Sequence, residues 1–414
     1  MNAGDSPNQG PASISRHRPF LLFWFARVFS SSALQMQTVA VGWQVYALTQ
    51  SPLDLGLVGL AQFLPAFLLV LVVGHVADRY SRGAVVRISQ IVESAVAATL
   101  AIGTATGWLS RDHILALVVV LGAARAFEAP SLQSLLPNIV PLPLLPRATA
   151  GSASANQTAT IVGPALGGIL YAVNPILVYA ICCVLFFAAA ILISFVRTER
   201  EMPKREQVDT STLFAGIAFI RRSPVILGAI SLDLFAVLLG GATALLPVYA
   251  RDIFQTGPWA LGFLRASTAA GALCMAIALA HWPLKRHVGT KMFAAVILFG
   301  IATIVFALSR NYTLSLVALF ILGATDMISV VIRTTVVQLQ TPDAMRGRVA
   351  AVNALFIGTS NQLGEFESGV TAALFGTVPS VVIGGAGTIL VVLLWMKFFP
   401  DLRNADSFET MKSR

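Results

Sequence analysis

Long apolar stretches without charge constrain this chain more than any other feature. The stretch LGLVGLAQFLPAFLLVLVV, residues 55–73, contains no Asp, Glu, Lys or Arg, and similar runs recur along the sequence. A helix needs about 20 apolar residues to cross the hydrocarbon core of a bilayer. Only 11% of the residues are charged, whereas about 25% are charged in soluble domains. The surplus apolar surface must face lipid, so we expect a polytopic membrane protein.

Apolar runs between charges and Gly or Pro breaks predict twelve transmembrane spans. These are 20–48, 53–77, 84–107, 113–136, 147–172, 175–196, 224–249, 258–281, 290–309, 313–337, 346–376 and 379–399. The longest polar stretch separates six spans from six. The predicted divisions are a tail (1–19), an N-terminal bundle (20–196), a linker with an amphipathic helix (197–223), a C-terminal bundle (224–399) and a second tail (400–414).

Basic residues predict the orientation of the spans. The formal net charge is +9, but the basic residues gather in one set of loops rather than on a nucleic-acid-binding face. The opposite loops hold only Arg111, Arg251 and Arg310. Because cytoplasmic loops carry the excess of Lys and Arg, both termini are expected in the cytoplasm.

The two halves of the sequence resemble each other. The segment LGAARAFEAPSLQSLLP, residues 121–137, matches LGATDMISVVIRTTVVQ, residues 322–338, at an offset of 201 without a gap. Each half contributes an even number of spans, so the repeat is parallel about an axis along the membrane normal. Such repeats are a feature of secondary transporters. The expected fold is an all-α membrane protein with twelve transmembrane helices in two pseudo-symmetric six-helix bundles.

The segment GHVADRYSRG, residues 74–83, places three charges directly after the second span. A plain reading is that its basic residues anchor the loop on the cytoplasmic side. The segment also resembles the signature of the major facilitator superfamily, Gly-x-x-x-Asp-Arg-x-x-Arg followed by a basic residue, except that Gly83 replaces that last residue. The resemblance covers essentially the whole chain and implies the twelve-helix fold of that superfamily. It further implies a cytoplasmic latch between the bundles, formed by Gly74, Asp78, Arg79 and Arg82.

The fifth span carries a second motif, TIVGPALGGIL, at residues 160–170. It resembles the end of the antiporter signature of the same superfamily, with Ala150 and Ala159 in place of two upstream glycines. Gly and Pro bend a helix and let a neighbour approach closely. The expected bend residues are Gly163, Pro164, Gly167 and Gly168. Within the superfamily, stretches such as WQVYALTQSPLDLGLVGLAQFLPA resemble the branch of the enterobactin exporter and macrolide efflux pumps.

Charges inside predicted spans are costly, at about 2.5–3.5 kcal/mol each on the more lenient scale, so each marks a candidate site. Spans 1, 4, 7 and 10 line the central cavity in facilitators, and six of the ten candidates lie on them. Spans 3 and 8 are more peripheral, so Glu93 and Arg265 are weaker candidates. A structural ion pair or a snorkelling side chain is the alternative for each charge. The ten candidates are Arg27, Glu93, Arg125, Glu128, Asp233, Arg265, Asp326, Arg333, Glu365 and Glu367.

Spacing refines these candidates. Asp326 is the repeat mate of Arg125, so the two are expected at equal depth and able to approach, directly or through Glu128. Asp233 lies near mid-span and is the best isolated carboxylate, so it is the first proton-coupling candidate, with Glu128, Asp326 and Glu365 after it. The cavity and substrate candidates are Arg27, Gln35, Arg125, Asp326, Arg333 and Asn361.

No phosphate-binding loop or hydrolase motif occurs in the sequence, and the three Cys residues have no metal-binding spacing. No cofactor, metal, nucleic acid or enzymatic activity is therefore expected. The resemblance implies a monomeric, proton-coupled exporter of an amphipathic small molecule, a siderophore or a drug, in the bacterial inner membrane. The cavity candidates include both acidic and basic residues, so the sequence does not predict the charge of the substrate. A lipid or lysolipid flippase on the same fold, and a non-transporting scaffold or sensor, are the alternatives.

Overall fold

The computed structural model describes residues 14, 17–69, 72, 73, 76, 79–196, 210–284 and 286–406. The N-terminal bundle consists of α1 (Arg18–Thr49), α2 (Pro52–Leu68), α3 (Arg82–Thr106), α4 (Arg111–Ile139), α5 (Leu145–Val173) and α6 (Pro175–Ser194). The linker helix is α7 (Thr210–Arg222). The C-terminal bundle consists of α8 (Pro224–Leu239), α9 (Pro258–His281), α10 (Val288–Leu308), α11 (Tyr312–Gln340), α12 (Asp343–Phe375) and α13 (Thr377–Phe398). A short helix, α14 (Pro400–Arg403), follows.

Local sequence signals explain where the helices begin. Pro52, Pro175, Pro224 and Pro258 each stand in the first turn of a helix. Proline suits that position because its missing N–H would have no partner within the helix. The side chain of Asn174 also accepts a hydrogen bond of 2.8 Å from the backbone N–H of Ile176, which caps α6.

Apolar composition separates the helices into two groups. Eight helical stretches within the described residues are long and apolar enough to span a membrane, namely α3, α4, α6, α9, α10, α11, α13 and the stretch Pro224–Ile253 that begins with α8. Helix α2 is apolar but shorter, with 17 residues. Helices α1, α5 and α12 have 32, 29 and 33 residues and are not among these eight stretches. These three helices lie along the contact between the bundles.

Two predicted spans differ from the helices observed. The second span, 53–77, is a continuous helix only to Leu68, and several of the residues after it lie outside the described part of the chain. The seventh span, 224–249, is interrupted after Leu239 by Gly240 and Gly241 and continues as short 3-10, α and π turns to Ile253. A Cβ at Gly241 would lie 2.6 Å from the carbonyl oxygen of Gly364 in α12. The interruption therefore coincides with close backbone contact between α8 and α12.

The linker helix α7 packs against the C-terminal bundle. Ile220 is buried in a cluster with Ile226 of α8 and with Val349 and Val352 of α12. A Cβ at Gly216 would lie 2.9 Å from the carbonyl oxygen of Arg348. The linker therefore contacts the C-terminal bundle closely, at the N-terminal part of α12.

The two ends of the molecule differ in how the bundles pack. We call the end where α1 begins the terminal end and the opposite end, where α1 finishes, the distal end. At the distal end one hydrophobic cluster joins Val39 and Tyr46 of α1 to Leu245, Leu264 and Phe306 of the C-terminal bundle. The clusters near the terminal end each contain described residues of a single half of the chain. The hydrophobic packing between the bundles is thus concentrated at the distal end.

Candidate functional site

A cavity of about 360 Å³ lies where the two bundles meet. Helices α1, α2 and α4 line it from one bundle, and α12 lines it from the other. Its wall is mainly apolar, with two amides and one guanidinium. The described lining residues are Leu34, Gln62, Ala66, Leu121, Gly122, Arg125, Ala126, Ala129 and Gln362. Such a wall accommodates an amphipathic molecule and provides a few polar groups that orient it.

Arg125 connects this cavity to buried acidic side chains. Helix α4 places Arg125 and Glu128 one turn apart, and their side chains form an ion pair. Glu128 also accepts a hydrogen bond of 2.9 Å from Nε2 of Gln90 in α3. The Oε1 atom of Glu93, also in α3, lies 3.9 Å from Nη1 of Arg125. The Arg125 side chain is 28% exposed, whereas both carboxyl side chains are 0% exposed.

The position of Glu93 on the third span predicts a peripheral site. The structure places Glu93 against Arg125 within the N-terminal bundle. One sequence signal was available: Gln90 and Glu93 are three residues apart in an otherwise apolar stretch and therefore share a helix face.

The C-terminal bundle holds its own buried ion pair, between Asp233 of α8 and Arg333 of α11. The side chains of Asp233 and Arg333 are 6% and 3% exposed. The expectation that Asp233 is an isolated carboxylate is therefore wrong, because Arg333 compensates it. Within the described part of the chain, Asp326 instead has no charged partner. It shares with Asp233 a cavity of about 10 Å³, which has room for about one water molecule.

The expected approach of Arg125 and Asp326 is absent among the residues that this structure describes. Arg125 pairs with Glu128 and lies 3.9 Å from Glu93 in its own bundle, whereas Asp326 has no charged partner among the described residues. The repeat mates Arg125 and Asp326 therefore do not form an ion pair.

The remaining candidates occupy different surroundings. Arg27 lies on α1, where it interacts electrostatically with Arg125 and Glu128, and its Nε atom has no hydrogen-bond partner among the described residues. Gln35 packs against α5, since a Cβ at Gly163 would lie 2.6 Å from its Cβ. Asn361 donates a hydrogen bond of 3.0 Å to the carbonyl oxygen of Ile357 on its own helix, and its neighbour Gln362 reaches the cavity instead.

Glu365 lies at the contact between α12 and α2. A Cβ at Gly59 of α2 would lie 2.8 Å from Oε2 of Glu365. Arg265 of α9 interacts with the same carboxyl group electrostatically. Glu365 therefore joins three helices at the bundle interface.

The residues of the motif in α5 lie in close helix contacts. Gly163, Pro164, Gly167 and Gly168 are all buried, and α5 continues as one helix through Pro164. A Cβ at Gly167 would lie 2.7 Å from the Cα of Met36 in α1. Gly168 faces Pro258 and Gly262 of α9, in the other bundle. The motif thus brings α5 against α1 on one side and α9 on the other.

Helices α2 and α12 form the matching contact across the repeat. A Cβ at Gly56 would lie 3.0 Å from the Cα of Gly369. Both interfaces lie toward the distal end, where Tyr46 of α1 also donates a hydrogen bond to Asp252. Arg251 donates a hydrogen bond of 3.3 Å to the carbonyl oxygen of Tyr46. Glycine contacts and this polar group together close the distal end.

The predicted latch is described only in part. Gly74 and Asp78 lie outside the described residues. Arg79 is exposed, and Nη1 of Arg82 donates a hydrogen bond of 3.0 Å to the carbonyl oxygen of Ser134 in α4. Arg82 therefore joins two helices of one bundle, and the latch across the bundles stays a prediction.

The sequence of this two-bundle protein matches a known family. Residues 10–414 match the family described as "Transmembrane secretion effector". The chain belongs to this family of major facilitator superfamily transporters. This facilitator is 24% identical over 396 residues to the enterobactin exporter EntS of Escherichia coli K12, with 94% of each chain covered. It is 25% identical over 395 residues to EntS of Citrobacter koseri, again with 94% of each chain covered.

Solved structures show the same fold at low sequence identity. A mutant of the nucleoside transporter NupG superposes with a TM-score of 0.74 at 11% identity, over 92% of this facilitator and 100% of that chain. A bacterial homologue of the human lysosomal transporter Spinster, in an inward-facing and unoccupied conformation, gives a TM-score of 0.72 at 13% identity, with 97% and 99% covered. The chain therefore has the major facilitator fold.

Proposed function

We propose that this facilitator exports a medium-sized amphipathic small molecule, a siderophore or a drug, across the bacterial cytoplasmic membrane by proton-coupled alternating access. The observation that carries the proposal is the cavity between the bundles, in which Gln62 and Arg125 of one bundle face Gln362 of the other. A molecule bound there contacts both bundles, so its binding responds to their relative movement. Similarity to enterobactin exporters over 94% of both chains supports export of a siderophore-like compound.

The distribution of basic residues supports a cytoplasmic terminal end, with both termini in the cytoplasm. The packing along α12 supports an inward-facing conformation. A Cβ at Gly369 would meet backbone atoms of Pro52 and Gly56 in the N-terminal bundle, whereas a Cβ at Gly358 would meet nothing within 4 Å. Helix α12 therefore loses its close glycine contact with the N-terminal bundle toward the terminal end, while its first turns still pack against α7.

The cavity wall favours a substrate with an acceptor-rich or anionic group. Among the described residues that line it, Arg125 is the charged one. A guanidinium is a planar donor that suits carboxylates and other paired oxygen atoms. The apolar side chains of Leu34 and Leu121 suit the apolar part of an amphipathic molecule.

Buried acidic groups support the coupling to protons. Glu128 and Asp233 are buried in α4 and α8, and Asp326 and Glu365 are partly buried in α11 and α12. Acidic side chains buried in membrane proteins commonly serve proton relays. In the proposed cycle an acidic group binds a proton when the cavity faces outward and releases it when the cavity faces the cytoplasm.

The test measures flux in vesicles that contain the purified protein, with and without an imposed proton gradient. The substrates compared are a catecholate siderophore, a lipophilic cationic dye and a fluorescent phospholipid. We expect gradient-driven flux of the siderophore. We expect Gln62→Leu and Gln362→Leu to reduce that flux, and Gln338→Leu, an exposed site of the same chemistry on α11, to leave it unchanged. Flux of the phospholipid alone, or flux that ignores the gradient, would contradict the proposal.

A further inference from the structure

A cluster of ionisable side chains lies inside the N-terminal bundle, behind the cavity wall. Arg125 reaches this cluster from the cavity, and Glu93 and Glu128 form its buried part, both 0% exposed. Two carboxyl groups thus share one nearby guanidinium. The proposed function gives Glu93 no role.

The guanidinium of Arg125 and the side-chain N–H of Gln90 both interact with Glu128. Glu128 forms an ion pair with Arg125 and accepts the hydrogen bond of 2.9 Å from Gln90. Among the described residues, neither carboxyl oxygen of Glu93 has a hydrogen-bond donor in place. Arg125 is 3.9 Å from Glu93 and already occupied. The ionised form of Glu93 is therefore poorly stabilised.

The charged groups near Glu93 lie on α4 and α1. Arg125 and Glu128 of α4 act on it directly. Arg27 of α1 acts on Arg125 and Glu128. On the side of α6, Cys183 contacts Ser94, the residue after Glu93. Two adjacent buried carboxyl groups with one committed cation do not both ionise, because burial and like charge each favour the neutral form.

We propose that Glu93 binds the proton that drives export, while Glu128 remains ionised as the partner of Arg125. In the conformation described here Glu93 carries the proton. Movement of Arg125 to a position between the two carboxyl groups lets its guanidinium pair with both of them, and the proton of Glu93 then leaves to the water of the cavity that Arg125 lines. The inference rests on the proposed function, since it names the residue that couples protons to that transport.

The first test compares Glu93→Gln and Glu93→Asp with the wild type in vesicles. Glu93→Gln keeps the shape of a protonated glutamate but cannot ionise. We expect it to lose gradient-driven flux and the pH dependence of transport, while substrate exchange at equal pH on both sides continues. Glu93→Asp should restore part of the gradient-driven flux. Asp112→Asn, at an exposed carboxyl group outside the cluster, is the control for loss of a negative charge and should behave as the wild type does.

The possible results separate the inference from the proposed function. Gradient-driven flux in the wild type that persists in Glu93→Gln would overturn the role of Glu93 and leave proton coupling intact. Wild-type flux that ignores the gradient would overturn proton coupling, and the inference with it. Loss of exchange as well as gradient-driven flux in Glu93→Gln would indicate a structural role and would also overturn the inference.

A second measurement on the wild type does not depend on whether the variants fold. Dicyclohexylcarbodiimide reacts with protonated carboxyl groups in apolar surroundings, and peptide mass spectrometry locates the label. We expect the label on Glu93 rather than Glu128, and less of it as the pH rises. A label on Glu128 with none on Glu93 would overturn the assignment.

Discussion

At the scale of single residues, buried charges are compensated within a bundle. Asp233 and Arg333 form one such pair between α8 and α11. Removing one partner of a buried pair leaves an unpaired charge in an apolar environment, at a cost of about 3–5 kcal/mol. Replacing both partners with apolar residues avoids that cost. We therefore expect the pair to stabilise the packing of the C-terminal bundle.

The first prediction concerns this pair. Asp233→Asn and Arg333→Leu should each lower the thermal stability of the purified protein, and Asp233→Leu combined with Arg333→Leu should recover much of the loss. Thermal unfolding in detergent measures all three variants, with Glu367→Gln as a control outside the pair. A normally stable Asp233→Asn that has lost gradient-driven flux would instead make Asp233 the proton-coupling residue.

The sequence predicted which residues carry buried charge but not how they pair. Charged residues within apolar spans can be recognised from the sequence alone, and Arg125, Glu128 and Asp233 were found in this way. Partners depend on how neighbouring helices are rotated, and one residue turns a helix face by about 100°. This is why Gln362, and not the predicted Asn361, reaches the cavity. It is also why Glu93 of α3 was not expected beside Arg125.

At the scale of helices, glycine positions determine how closely the bundles approach. Gly168 in α5 and Gly262 in α9 lie against each other, and neither position has room for a side chain. Small residues at such contacts let helix backbones pack closely within a membrane. The repeat forms the equivalent contact between α2 and α12 at Gly56 and Gly369.

The second prediction tests the contact between α5 and α9. Gly168→Leu should prevent the close approach and reduce transport strongly, because overpacking a tight contact typically costs about 1–3 kcal/mol. Gly83→Leu is the matched control, since a Cβ at Gly83 meets nothing within 4 Å. Vesicle flux and thermal unfolding should be measured for both variants. Equal transport by the two variants would show that the contact at Gly168 is not needed.

Hydropathy predicted the positions of the helices better than it predicted where a helix is interrupted. Apolar runs between charges and Gly or Pro breaks predicted α6 and α9 closely, because those signals are local. The interruption after Leu239 was missed, although Gly240 and Gly241 mark it in the sequence. Two glycines in an apolar span can also mark a close contact along a continuous helix. Only the position of α12 distinguishes such a contact from an interruption of the helix.

At the scale of the whole molecule, the bundles are joined at the distal end and lack shared hydrophobic clusters among the described residues toward the terminal end. Alternating access requires the distal contacts to open and the terminal end to close. The polar contacts at the distal end, from Tyr46 to Asp252 and Arg251, are side-chain interactions that such a movement breaks.

The last prediction concerns the contact between Tyr46 and Asp252 as a gate at the distal end. A single cysteine at Gln362, after Cys182, Cys183 and Cys274 are replaced, reports whether the cavity is open. In the resting protein it should react with a membrane-impermeant thiol reagent added from the terminal side and resist the same reagent from the distal side.

Tyr46→Phe removes the donor of the hydrogen bond, and Asp252→Asn removes the charge of its acceptor. Because fewer polar contacts then hold the bundles together, either change should raise the reactivity of the cysteine from the distal side. Tyr312→Phe, which removes a hydroxyl that donates to the carbonyl oxygen of Ala260 within one bundle, is the control and should leave the reactivity unchanged. If reactivity from the distal side stays the same in both gate variants, the glycine contacts of α5 and α2 hold that end closed without help from this polar group.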